Sequence, residues 1–413
     1  MNRTVSSSTN RLLFFDMVRN LAMLSVVLYH AVAAYSTITP HWSVHDGSST
    51  IADMIRQLFD VFMMPVFFFV AGYFALPSLM KQGTWKFLKG KFRRLGVPWL
   101  LAILIIVPLL QHVLQKKADV GHSVPPFWQY WIAYIKSIGA FQIGPYTAER
   151  VSQMHFWFLS LLITFFIALG LFEAMRNKGI GPSDSPPIKS PASNKSILKA
   201  FLAVAVLTSL GYFIVILFTP DMSWITIALL WQFQPGSLVS FIACFILGVF
   251  AYSRQWFGGN EFPRRLFIWV PIGVLLTVGF FIIGQDVFAH PLTSHQLPPG
   301  HLLTFSFIRT LVCLVFLVIF IAYAHKYWNR PSRFNQALGA NSYNIYLSHI
   351  FFVVFLQDVL MIWPGGPALA KAAIVFLVAL PISYGISRLI DRFPRGFVIG
   401  FIVLFVLAFI ARR

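Results

Sequence analysis

Acidic side chains are scarce in this sequence, 13 Asp and Glu among 413 residues, and charges of both signs make up only 11% of it. A soluble globular chain carries roughly 25% charged residues, so the deficit excludes an ordinary soluble protein. Cysteine is nearly absent: the two, Cys244 and Cys313, each fall inside an apolar run. That excludes a disulfide framework and a cysteine metal site, and leaves both as small buried side chains. What fills the chain instead is apolar, 58% hydrophobic and 17% aromatic, with a mean hydropathy of +0.74. The reading is an all-α polytopic integral membrane protein, a single transmembrane domain over residues 1–413.

A net charge of +19 is the kind of value that nucleic-acid binding would produce. Here the Lys and Arg residues sit in short links between apolar runs, as the positive-inside rule distributes them. A basic face against anionic lipid and soluble acidic metabolites accounts for them, and no nucleic-acid partner is expected. Arg3 and Arg11 precede an apolar run and Ala31-Val32-Ala33 mimics a cleavage site, but Asp16 and Arg19 interrupt that run. The first run is therefore read as an uncleaved span.

The apolar runs predict about ten spans of roughly twenty residues, at 14–36, 53–76, 97–115, 155–175, 200–218, 236–253, 266–284, 303–324, 340–360 and 371–390. The even links are basic. The second carries Lys81, Lys86, Lys89, Lys91, Arg93 and Arg94, and the fourth Arg176, Lys178, Lys189, Lys195 and Lys199. Arg254, Arg264 and Arg265 follow the sixth span, and Lys326, Arg330 and Arg333 the eighth. The remaining links hold few cations, so both termini and the even links are expected in the cytoplasm and the protein in the cell inner (plasma) membrane.

The stretch at about 176–199, rich in Pro, Ser and Lys, reads as a flexible cytoplasmic linker between two halves of the bundle. "PPFWQYWIAYIKSIG", in the long outer segment, is aromatic and amphipathic enough to lie along the membrane surface. The last apolar run, about 396–410, is short for a span. It reads first as an interfacial or re-entrant helix and second as an eleventh span.

Charged and polar residues inside spans cost several kcal/mol and point to function. In "FFDMVRNLAMLSVVLYHA", Arg19 and His30 are eleven residues apart. Three helical turns therefore place them on one face, roughly 16 Å apart along the axis. Asp16 precedes Arg19 by three residues and can pair with it. Arg19 suits an anionic group arriving from the cytoplasm, and His30, deeper, a base or nucleophile. The plainer alternative is an Arg19 that snorkels and a His30 that bonds a neighbouring helix.

In "LGANSYNIYLSHI", Ser342, Tyr346 and His349 recur at i, i+4 and i+7, one helical face. It is either functional or a satisfied packing face. His155 and Trp157 stand at the outer mouth of the fourth span, as a sugar platform or an aromatic-belt anchor. Lys89, Lys91, Arg93 and Arg94 are placed to clamp phosphates or lipid headgroups. Asp53, Arg56 and Asp60 read as a charge-compensated cluster near the outer mouth, with Arg309 facing it, either structural or in contact with substrate. His290, His295 and His301 lack metal-ligand spacing, and no metal site is expected.

These residues carry a resemblance. The chain resembles the membrane-bound acyltransferase family 3, in particular its glucan-modifying, succinyltransferase-like branch. The likeness rests on "FFDMVRNLAMLSVVLYH", with the Arg-x10-His pattern at Arg19 and His30, then "FMMPVFFFVAGYFA", "RRLGVPW", "HFWFLSLLI" and "SYNIYLSHI" in the family's order. The resemblance implies transfer of an acyl group from cytoplasmic acyl-CoA, a donor substrate rather than a bound cofactor, to an extracytoplasmic carbohydrate. It implies CoA phosphates at Arg93, Arg94 and Arg19, and His30 as the base that activates a sugar hydroxyl or as the carrier of an acyl-histidine relay. Ser342, Tyr346 and His349 would support the thioester or oxyanion, and His155 and Trp157 would face the acceptor. The C-terminal apolar run departs from the family pattern. Intramembrane Arg and His also suit a proton-coupled transporter or flippase, against which stands the lack of an inverted repeat. A sensor or scaffold, or a carrier that passes acyl groups to a separate transferase, would also fit. Neither the acyl group, acetyl or succinyl, nor the acceptor is named by any residue.

Overall fold

The computed structural model describes residues 13–39, 42–118, 125–139, 143–145, 153–176, 193–228, 230–257, 265–291, 293–329 and 332–393. The helices are α1 Leu13–Ala31, α2 Thr50–Gln82, α3 Thr84–Lys91, α4 Val97–Leu101, α5 Val107–Ala118, α6 Phe127–Gly139 and α7 Trp157–Arg176. They continue with α8 Asn194–Ile216, α9 Pro235–Ser253, α10 Leu266–Ala289, α11 Pro299–Trp328, α12 Arg333–Val359 and α13 Ala368–Arg392. Among the described residues ten helical spans are long and apolar enough to cross a bilayer, and each coincides with a span expected from the apolar runs. The protein is an all-α multi-pass membrane protein.

The boundaries differ where polar residues extend a helix beyond the lipid. At 33 residues, α2 is about 50 Å long, more than the hydrocarbon core requires. The last six residues of the supposed 176–199 linker are helical, because α8 begins at Asn194 behind a Ser193 cap. The rest of that linker, and the apolar run at 396–410, lie outside the described residues.

α1 runs through the middle of the bundle, packed by α2, α11, α12 and α13. α10 lies against α11 and turns most of its side chains to lipid. The closest backbone contact is between α2 and α9. A Cβ on Gly72 would stand 2.1 Å from the Phe245 carbonyl oxygen, and one on Gly248 2.1 Å from that of Phe69. Without a hydrophobic drive between helices in lipid, such small residues let two backbones touch.

The third span, α3 to α5, is broken by two π turns, Phe92–Gly96 and Ala102–Ile106. Proline explains both. The Val107 N–H bonds the Ala102 carbonyl five residues back, and Pro108 has no N–H, so the carbonyls of Ile103 and Leu104 lose their regular donors. The amphipathic α6 supplies replacements: Tyr134 Oη donates to the Ile103 oxygen at 3.0 Å and Trp131 Nε1 to that of Leu104 at 2.8 Å. Pro98 does the same to Arg94, whose carbonyl accepts from Tyr343 Oη of α12 at 2.8 Å.

The pattern of the sequence did not reveal a small antiparallel sheet: β1 Ile143–Pro145, β2 Ile225–Ile227 and β3 Trp231–Phe233, in the order β1-β2-β3. It joins the segments before α7 and α9. Gln232 of β3 then accepts from the Gln153 N–H at 2.6 Å, which ties the sheet to the start of the fourth span.

Candidate functional site

Three histidines from three separate sequence motifs converge. His30 lies in the last turn of α1, His349 in the middle of α12 and His155 in the 3₁₀ turn that opens the fourth span. Ring centroids are 5.1 Å apart for His30 and His349, 5.4 Å for His155 and His349, and 6.4 Å for His30 and His155. His349 is 0% exposed and His155 is buried, whereas His30 is only half-buried and is the accessible ring of the three.

The hydrogen bonds assign the tautomers. His349 Nδ1 lies 2.8 Å from the Tyr346 carbonyl oxygen and 3.2 Å from that of Ile345. Only an N–H can face two carbonyls, so the neutral His349 ring carries a lone pair on Nε2. That Nε2 is 3.2 Å from His30 Nδ1, which in turn lies 2.9 Å from the Val26 carbonyl oxygen. His30 Nδ1 is therefore the protonated nitrogen, shared between Val26 and His349. The remaining nitrogen of His30, Nε2, bears the lone pair.

His155 reaches this group through a strained backbone. Met154 has a φ of +47°, a conformation that side-chain-bearing residues adopt only where the surroundings over-determine it. Gln153 supplies that determination: its Oε1 accepts from Trp99 Nε1 at 3.2 Å and from Ser160 Oγ at 3.0 Å. The Tyr346 hydroxyl donates to the His155 carbonyl oxygen.

The other sequence-derived positions sort by distance from this centre. Asp16 pairs with Arg19 as its spacing predicts, and Asn20 beside them donates to the Asn335 carbonyl of α12 at 3.0 Å. Ser342 is turned back on its own helix, bonding the Gly339 carbonyl at 2.9 Å, and does not join the histidines. Trp157 also stands apart, stacked on Phe241 and edge-on to Trp224. Lys89, Arg93 and Arg94 are exposed on α3 and the first π turn, while the Lys91 ammonium lies 4.3 Å from the centre of the Phe166 ring.

The outer charge cluster is more divided than its spacing implied. Asp53 leaves the group and binds the loop after α1, accepting from Ser36 Oγ at 2.6 Å and from the Thr37 N–H at 2.7 Å. Arg56 covers the Tyr29 ring at 3.9 Å and donates to the Tyr29 carbonyl at 3.0 Å, one residue before His30. Asp60 faces Arg309 at 3.9 Å, as expected, and Arg309 continues to Ser237 Oγ at 3.0 Å and the Tyr212 ring at 4.3 Å. Asp221, in the loop beyond α8, accepts from the Tyr212 hydroxyl. Burial pushes its carboxyl up to about 6, with Arg309 opposing the shift.

Two side chains next to His30 were not singled out in the sequence. Trp42, in the loop after α1, stacks on the His30 ring with centroids 5.5 Å apart and planes at 25°. Gln357 of α12 accepts from Trp42 Nε1 at 2.8 Å and donates to the carbonyls of His30 and Ala31 at 2.9 and 3.1 Å. Gln357 falls eight residues after His349, so it prolongs the polar stripe of α12 and was legible there. Trp42 had no such signal. No group of three His, Cys, Asp or Glu side chains among the described residues is placed to hold a metal ion.

Fold and site together define a polytopic membrane protein with an imidazole centre inside the bundle. The chain belongs to the acyltransferase-3 family: the family described as Acyltransferase domain matches residues 12–412. It is similar to glucans biosynthesis protein C of Salmonella paratyphi B (strain ATCC BAA-1250 / SPB7), 29% identical over 165 residues. The same-named proteins of Salmonella heidelberg (strain SL476) and Salmonella gallinarum (strain 287/91 / NCTC 13346) are 28% and 29% identical over the same length. Each match covers 38% of this chain and 38% of the relative. No solved structure matches the chain.

Proposed function

We propose that the protein is a membrane O-acyltransferase. It moves an acyl group, acetyl or succinyl, from cytoplasmic acyl-CoA to a hydroxyl of an extracytoplasmic carbohydrate such as a periplasmic glucan or surface polysaccharide. The observation that carries this reading is the accessible His30 ring, whose Nε2 lone pair is fixed by the buried His349. Family membership supports acyl transfer, and the printed name of the relatives supports a glucan.

In this reading His30 Nε2 takes the proton of the acceptor hydroxyl as its oxygen attacks the thioester carbonyl. The C–S bond breaks, and the leaving thiolate takes the proton from His30, so no charge persists in the low-dielectric interior. His349 accepts from His30 Nδ1 throughout and disperses the transient positive charge. Arg19, Arg93 and Arg94 receive the CoA phosphates on the cytoplasmic side, with Lys89 beside them. Lys91, engaged with Phe166, contributes less. His155 and Tyr346 shape the pocket, and the plasma (inner) membrane is the location.

Mass spectrometry of envelope glycans from three strains tests this: intact, deleted, and carrying only His30→Ala. The expected result is one acyl mass absent from both altered strains, which also names donor and acceptor. Identical glycans in all three strains would overturn the reading and direct attention to transport.

A further inference from the structure

The indole of Trp42 stacks on His30, and the loop that carries it follows the His30 end of α1, the end from which the proposed acceptor comes. Its hold on that position is specific, and the side chain also packs against apolar clusters that include Val27, Ala31, Val44 and Ile350. One contact is the stack on the His30 ring. Its polar contact is the hydrogen bond from Nε1 to Gln357 Oε1. The orientation of the Gln357 amide is fixed by its neighbours. Its Nε2 faces the carbonyls of His30 and Ala31, which at the C-terminal end of α1 have no helical donor, so its oxygen is turned to the indole N–H. Gln357 is 0% exposed, and each of its polar contacts is made.

The loop that carries Trp42 is anchored elsewhere. Thr39 Oγ1 donates to the carbonyls of Ala33 and Ser36, the Asp46 N–H to Ala34, and the Ser49 N–H to Tyr35. Lys371 Nζ, buried on α13, bonds Asp46 Oδ2 at 2.6 Å. None of these contacts involves the indole.

We propose that Trp42 sets the choice between sugar and water at His30. This rests on the acyl-transfer reading and deepens it. The indole stacks on the His30 ring. A sugar ring offers the indole what the imidazole offers, an apolar face for stacking and hydroxyls for the indole N–H. A carbohydrate acceptor thus displaces Trp42 by replacing its contacts, and its hydroxyl then meets the base. A water molecule can take the hydrogen bond of the indole N–H but offers no face for the stack. Productive attack by the sugar hydroxyl on the thioester gives ester and thiol. Attack by water gives free acid and thiol, and it is this branch that Trp42 suppresses. Gln357 acts as a positioning residue for both Trp42 and the end of α1.

The test uses the full-length protein in nanodiscs with acetyl-CoA or succinyl-CoA, with and without a short glucose oligosaccharide. Thiol release measures total thioester consumption, and mass spectrometry measures acylated sugar; their difference is hydrolysis. Trp42→Ala is expected to raise the hydrolysis-to-transfer ratio about ten-fold while thioester consumption persists. Trp42→Phe, which keeps the stack and loses the N–H, and Gln357→Leu should give smaller rises of the same sign. These two variants also decide the matter if Trp42→Ala does not fold. An unchanged ratio, or equal loss of both branches in folded variants, would overturn the role of Trp42 while leaving acyl transfer standing. A wild-type protein that releases no thiol from either donor would overturn the transfer reading, and this inference with it.

Discussion

At the scale of single residues, the centre depends on which nitrogen of His30 carries a proton. Val26 and His349 both accept from Nδ1, and this keeps Nε2 basic. His349 touches no reacting atom in this arrangement, yet its own Nδ1 is locked by the Tyr346 carbonyl, so it cannot turn away. Partners that orient a working side chain from one shell out are typically worth roughly ten- to hundred-fold in activity. His349→Ala should therefore slow acyl transfer by about that factor with the KM for the thioester unchanged. His349→Gln, whose side-chain oxygen can accept from His30 Nδ1, should recover part of the loss. Steady-state kinetics on the two variants decides it. Equal loss in both would mean that His349 packs the site and does not set the tautomer.

At the scale of elements, one proline shapes the connection between the basic segment and the helix of His349. Pro98 takes the regular donor from the Arg94 carbonyl, and Tyr343 of α12 replaces it. The exposed Arg93 and Arg94 are thereby tied to the helix that carries His349. Tyr343→Phe removes a net hydrogen bond, worth about 1 kcal/mol. In a Pro98→Ala background the new N–H restores the helical donor, so the same Tyr343→Phe change should then cost little. A double-mutant cycle on thermal unfolding in detergent should show coupling of about 1 kcal/mol, and additive effects would reject the account. The sequence made much of this architecture legible. Ten apolar runs marked the spans, Asp16 and Arg19 announced their pairing by spacing, and Arg309 was seen to face Asp60. It could not show that His155 enters the centre, because that follows from the strained turn at Met154 and from Gln153, both set by contacts distant in sequence. Nor could it show Trp42 next to His30, since loop placement depends on anchors as remote as Lys371. Trp157, expected at the outer mouth of the fourth span as a sugar platform or belt anchor, packs against Phe241.

At the scale of the whole molecule, the proposed chemistry requires His30 to be approached from two sides. Along α12, Gly339 lies beside Asp16 and Asn20, Tyr343 bonds the Arg94 carbonyl and His349 meets His30, while the loop with Trp42 follows the His30 end of α1. In the proposed function the Arg94 end faces the cytoplasm and the Trp42 loop the exterior, the orientation that the positive-inside rule would give. Substituted-cysteine labelling checks this directly, and the natural cysteines give little background because both are buried. Lys89 and Ser43 are both exposed. Lys89→Cys should resist a membrane-impermeant maleimide in intact cells and react in inverted vesicles, whereas Ser43→Cys should do the reverse. If both positions label from the same side, donor and acceptor cannot meet at His30 from opposite faces. The span between Arg19 and His30, roughly 16 Å along α1, would then serve a one-sided reaction. The outcome thus bears on more than topology: opposite labelling makes the bundle itself the route by which an acyl group crosses the membrane, with His30 at the point of exchange.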